Sequence, residues 1–171
     1  MINIRYENYP VWIVIISNLV SLAIYVIGAF IILKIGIIWL VLYLLYILLL
    51  EIRLLRKSCI YCCYYGKVCA FGKGKISRLF FKQGDSKLFS QIQITWKDII
   101  PDFLVSIIPL IIGIILLIIS FDLPLLFLMI LLVILTSFGN GIVRGRLACK
   151  YCKQLDLGCP AAQLFSKNKK S

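Results

Sequence analysis

Four times the sequence enters an apolar stretch without a charged side chain, and the first, Val11 to Leu33, is 23 residues long. At about 1.5 Å per helical residue this covers the roughly 30 Å hydrocarbon core of a bilayer. Inside lipid a backbone satisfies its own polar groups only as helix or closed barrel, and long apolar blocks without alternation point to helix. The expected fold class is therefore an all-α membrane protein with four transmembrane helices. The run is longer than a signal-peptide core of roughly 7–15 residues and ends in no small-x-small cleavage site, so it reads as an anchor. Ser17 and Ser21 are placed for helix contact, and Asn18, costly against lipid, is expected to face the bundle.

The turns arrange these spans in pairs. Lys34-Ile35-Gly36 separates the first span from a Leu-rich second one, which starts near Ile37 and fades through Glu51, Arg53, Arg56 and Lys57. It is expected to run past Leu50, with those charges snorkelling to the interface. The third span covers about Phe103 to Ile119 and contains Pro109 and Gly113. Pro109 should kink it, and in a bundle a neighbour can satisfy the carbonyl that proline frees. Phe121-Asp122-Leu123-Pro124 is a short turn with proline near a helix start, and the fourth span runs from Leu125 to about Val143. Gly139, Gly141 and Gly145 permit close backbone approach near its end.

Each hairpin leads into the same cysteine pattern, Cys-x2-Cys-x6-Cys. The first copy is Cys59, Cys62 and Cys69; the second is Cys149, Cys152 and Cys159, each 90 residues after its counterpart, with Tyr61 and Tyr151 also coinciding. The offset maps Val11–Leu33 onto Pro101–Leu123 and Arg56 onto Arg146. The chain thus reads as two tandem copies of a helical hairpin followed by a Cys-rich knuckle. Two spans per copy preserve orientation, giving a parallel pseudo-twofold repeat. Repeat 1 covers 1–81, with a hairpin at about 11–55, a knuckle at 58–71 and a basic loop. A linker or interfacial segment covers 82–100. Repeat 2 covers 101–171, with a hairpin at about 102–143, a knuckle at 148–160 and a basic tail that frays from Ser166 to Ser171.

Charge orients this arrangement. Of 19 Lys and Arg, ten fall between Arg53 and Lys97 and seven between Arg144 and Lys170. The positive-inside rule places both knuckles and both termini in the cytoplasm of a multi-pass cell-membrane protein. The net charge of +12 could also suggest nucleic acid, but beside apolar spans it is first a topology signal. The basic segments, including Phe71-Gly-Lys-Gly-Lys75, suit anionic lipid headgroups. Phe80 and Phe81 fit either a membrane interface, together with Trp96, or a small core around the cysteines.

The cytosol is reducing, so clustered thiols there more often bind metal or do redox work than form structural disulfides. The opposite orientation would restore a disulfide framework. A CxxC pair offers two sulfurs to one ion, and two such pairs complete a tetrahedral zinc site. One triplet alone is a ligand short, so Cys59, Cys62, Cys149 and Cys152 are expected to converge, with Cys69 and Cys159 behind them or on a second ion. Alternatively, each triplet holds an ion with an open fourth position. An iron–sulfur cluster is the rival cofactor; Cys159-Pro160 echoes the Cys-Pro of ferredoxins, but the x6 gap does not match their spacing. Thiol redox chemistry and soft-metal transport or delivery are further readings. Cys63, without a counterpart, reads as a small buried or exposed thiol.

Other classes are excluded more firmly. The chain has no histidine, which removes haem with His ligation, Cys2His2 zinc sites and a His general base. No paired carboxylates, phosphate loop or activated nucleophile is present, so the sequence leans away from an enzyme. The spans lack charged residues, which favours a scaffold or docking protein over a pump. Partners would be the bilayer and a membrane protein or a second copy of the chain.

Overall fold

The computed structural model describes residues 5–91 and 96–159. The tail from Ser166, Pro160 and the side chain of Trp96 lie outside the described residues. Among those described, the chain forms helices α1 (Val11–Leu33), α2 (Ile37–Leu54), α3 (Lys73–Phe80), α4 (Trp96–Ile119), α5 (Leu123–Ile134) and a single turn, α6 (Asn140–Ile142). The only extended pairing among them is an isolated bridge between Tyr6 and Cys152. Four helical stretches are long and apolar enough to cross a membrane: Val11–Leu33, Ile37–Cys59, Lys97–Ile119 and Leu123–Tyr151. The chain fits a multi-pass membrane protein.

The last of these stretches is not one ideal helix. It passes through π-helical turns at Leu135–Gly139 and Val143–Ala148, and a third such turn, Leu55–Cys59, extends α2. In that third turn the Ile60 N–H reaches back five residues to the Leu55 carbonyl.

One compact unit comprises residues 19–51 and 96–142. Ile24, Ile27 and Ile31, spaced along one face of α1, pack against Leu125, Met129 and Leu132 of α5. A second cluster joins Ile32, Tyr43, Ile47 and Val105. The outward faces stay apolar, with Ile118 79%, Phe127 66% and Val26 58% exposed. In water such a surface would aggregate; in hydrocarbon it faces a solvent as apolar as itself. Lys34 in the first turn forms an ion pair with Asp122 in the second, so the two hairpin turns meet.

Within this unit α4 continues through Pro109. Proline has no N–H to offer the carbonyl four residues back, which belongs to Val105. The Tyr43 hydroxyl of α2 donates to that carbonyl at 2.8 Å, and Tyr46 donates likewise to Pro101 at 2.8 Å. The neighbour that the sequence requires is therefore Tyr43. Gly28 makes room for it: a Cβ there would overlap the Tyr43 hydroxyl and stand 3.1 Å from Pro109 Cγ.

The other unit draws its described residues from 5–18, 52–91 and 143–159. Its core is Tyr9, Ile13, Tyr64, Ala70 and Ala148, with Cys62, Cys63, Cys69 and Cys152 partly buried beside them. Asn18 does not turn into a helix bundle. It is exposed and donates to the carbonyls of Val14 at 2.8 Å and Phe71 at 3.3 Å, tying α1 to the chain just after Cys69. The amide thus solves its desolvation problem on backbone acceptors.

Candidate thiol site

The two cysteine triplets share their local backbone. Cys62 N–H bonds to Cys59 O and Tyr65 N–H to Cys62 O; 90 residues on, Cys152 N–H bonds to Cys149 O and Leu155 N–H to Cys152 O. Each CxxC is therefore closed by the same three-residue turn, and each adjoins a π-helical turn: Leu55–Cys59, which ends on the first cysteine, and Val143–Ala148, which ends just before Cys149. Such turns widen the helix by one residue and recur at functional sites. Beyond the turns the copies diverge. The first continues through Cys69 to Gly72, whose φ of 69° suits the residue preceding α3. The second continues through a 3-10 turn at Lys153–Leu155.

What joins the two segments is the start of the chain. Tyr6 N–H bonds to Tyr151 O at 3.2 Å, and Tyr9 N–H to Val68 O at 2.9 Å, so residues 5–9 run between the two triplets as a strap. The Asn8 carboxamide accepts from Val68 N–H. The buried Tyr9 hydroxyl donates to Ala148 O. Tyr64 donates to Tyr6 O at 2.6 Å and accepts from Lys153 N–H at 3.1 Å. The rings of Tyr6, Tyr9, Tyr64 and Tyr151 touch in series, with centroids 5.2–5.6 Å apart. Arg5 forks onto Asp156 at 2.9 and 2.7 Å and donates to Lys150 O, while Lys153 pairs with Glu7. Besides the bond from Lys153 N–H to Tyr64, the triplet segments are joined directly where the carboxamide of buried Gln154 accepts from Cys63 N–H at 2.9 Å.

All seven cysteines are half-buried and outside any disulfide. Cys62 and Cys63 share a hydrogen bond. Donating that bond, together with burial, raises the Cys62 thiol above its ordinary range; accepting it lowers Cys63, with Lys153 and Lys67 nearby adding to the effect. Cys152 is within electrostatic reach of Cys62, Cys149 and Cys159, and burial pushes it up to about 11. Burial likewise raises Tyr9 and pushes Tyr64 up to about 12, which keeps both phenols neutral donors. Cys69 packs with Val68 and Phe71 in the tyrosine-lined core, and Cys59 ends its π-helical turn.

The structure thus draws Cys62, Cys149, Cys152 and Cys159 into one neighbourhood and adds Cys63, which sequence reasoning had set aside. Among the described residues, however, no three Cys, Asp or Glu side chains are placed to hold one metal ion. The space between the CxxC turns holds tyrosine rings and the strap, and Cys62 spends its proton on its neighbour. The strap residues Arg5, Glu7 and Tyr9 were also missed. Their signal was faint but present: Asp156 is the only acid after Arg144, and Glu7 the only acid before Glu51.

Comparison with protein-family models, with curated proteins and with solved structures finds no match for this chain.

Proposed function

We propose that this protein is a multi-pass cell-membrane protein whose cytoplasmic face carries a thiolate metal-binding module, serving as a scaffold or docking platform. The observation that carries the reading is the gathering of both cysteine triplets, with the strap between them, into one compact unit. Identical turn hydrogen bonds 90 residues apart support a duplicated hairpin-and-knuckle plan. Seventeen basic residues flank the cysteines, which supports the cytoplasmic orientation. Cys59, Cys62, Cys149 and Cys152 would supply four thiolates suited to zinc, with Cys69, Cys159 and Cys63 close by in the chain. Bound zinc would lock the two segments together and contribute folding energy directly.

A second reading is thiol redox chemistry, favoured by the hydrogen-bonded neighbours Cys62 and Cys63. Metal analysis of full-length protein purified without oxygen separates the readings. The expected result is a colourless protein with stoichiometric zinc, reduced by Cys62→Ser and by Cys152→Ser. A brown protein containing iron would replace zinc by an iron–sulfur centre. Absence of metal together with free reactivity of all six repeat thiols refutes the metal module. Recovery of a reversible disulfide among them would then establish the redox reading.

A further inference from the structure

Helix α3 has its polarity inverted for a surface helix. The side that packs on its own unit is made of the smallest residues: buried Gly74 and Ser77. A Cβ on Gly74 would stand 2.6 Å from Lys67 O and closer still to Tyr64 O, so the helix lies directly on the backbone following Cys62. Gly66 N–H completes the contact, donating to Gly74 O at 2.9 Å. The opposite side presents Ile76, Leu79 and Phe80, at spacings of three and four residues, exposed to 42%, 79% and 72%. At 100° per residue, Lys73 and Lys75 flank this apolar stripe on either side. Lys82 follows the helix, and Phe81 O is held by the Tyr65 hydroxyl at 2.7 Å.

We propose that α3 is an interfacial helix whose Ile76, Leu79 and Phe80 enter the acyl boundary of an anionic lipid leaflet, with Lys73, Lys75 and Lys82 on its headgroups. An apolar stripe edged by lysines is the signature of a helix lying in the membrane plane. The bilayer is the occupant that the chain itself supplies. Its second apolar stretch ends at Cys59, only a short loop before Lys73, so lipid is present at high effective concentration. The lysines match an anionic surface, whereas a protein partner would need its own acids at both edges. The inference is independent of which chemistry the thiols perform. It resolves the position of Phe80, which points outward, away from the cysteine core.

The test uses the full chain, with Trp12, Trp39 and Trp96 replaced by Phe and Leu79→Trp as the probe, reconstituted in bilayers containing brominated acyl chains. Phe80→Trp serves as the second probe should Leu79→Trp alter the fold, judged by labelling of Cys62 at the wild-type rate. In phosphatidylglycerol-rich bilayers the probe is expected to emit to the blue and to be quenched most by bromines near the headgroup. Lys75→Gln should weaken this docking about fivefold, as should loss of any one charge at the surface. Solvent-like, unquenched emission in both anionic and zwitterionic bilayers overturns the proposal. Blue, unquenched emission that depends on protein concentration also overturns it, assigning the face to a second copy of the chain.

Discussion

The Tyr43–Val105 contact allows a sharp test of how this chain tolerates a proline at membrane depth. Val105 O lacks its helical donor because residue 109 is proline, and Tyr43, 5% exposed, supplies the replacement. Tyr43→Phe retains the ring and removes only the donor. An unsatisfied buried carbonyl costs about 1–3 kcal/mol. Hydrogen bonds between membrane helices average only about 0.6 kcal/mol, with a maximum near 1.7, because the separated helices find other partners. Here the separated α4 leaves the same carbonyl unpaired, so the value should approach the upper limit, about 1.5 kcal/mol. A double-mutant cycle isolates it. In Pro109→Ala the new N–H can bond to Val105 O, and Tyr43→Phe should then cost little. Unfolding measured by denaturing-detergent titration of all four proteins is expected to give a coupling of about 1 kcal/mol or more. Additivity to within about 0.5 kcal/mol would show that Tyr43 does not stand in for the missing amide.

Other perturbations address the thiol-bearing unit. Gly74→Ala should force α3 off the Tyr64 and Lys67 carbonyls at a cost of about 1–3 kcal/mol; peptide-resolved maleimide labelling should then accelerate at Cys62 and Cys63. Gly141→Ala, where an added Cβ meets nothing, should leave that labelling unchanged. Tyr9→Phe removes the donor to Ala148 O from a buried site, at about 1–3 kcal/mol, and should speed labelling of Cys152 more than that of Cys59. Lys153 holds the Glu7 carboxyl below its ordinary value of 4.5, mainly by hydrogen bonding and then by charge. The carboxylate therefore contributes above the ordinary value, and that contribution fades as pH falls below it. Thermal unfolding of the wild type should drop more between neutral and acid pH than that of Glu7→Gln.

The membrane plan was legible because hydrocarbon imposes one-dimensional rules. Val11–Leu33 is a helix with the bounds read from its charge-free run, and Pro124 stands in the first turn of α5. The requirement at Pro109 was visible too, although not which neighbour would meet it. The thiol unit was less legible because its contacts join residues far apart in sequence. Gly72 and Gly74 suit a flexible or tightly turning backbone; Gly72 does turn, with a φ of 69°, while the missing side chain of Gly74 is what lets a helix settle on backbone carbonyls. Asn18 was assigned to the bundle on desolvation grounds, but two main-chain carbonyls meet its need instead. The spacing of the cysteines marked segments that one compact unit gathers; the tyrosine rings packed among them have no spacing signature.

The strap also dictates an order of assembly. Arg5 and Asp156 lie 151 positions apart, so residues 5–9 cannot be fastened until the second triplet has been made. Closing so long a loop is entropically costly and slow unless intervening elements have already drawn its ends together. Formation of the intervening apolar helices is the step that can precede it. A polypeptide that stops short of the second triplet has Cys62 and Cys63 but lacks the Tyr151 carbonyl for Tyr6 N–H and the Gln154 carboxamide for Cys63 N–H. Closure of residues 5–9 onto the second triplet thus reports that both cysteine segments have been made and brought together.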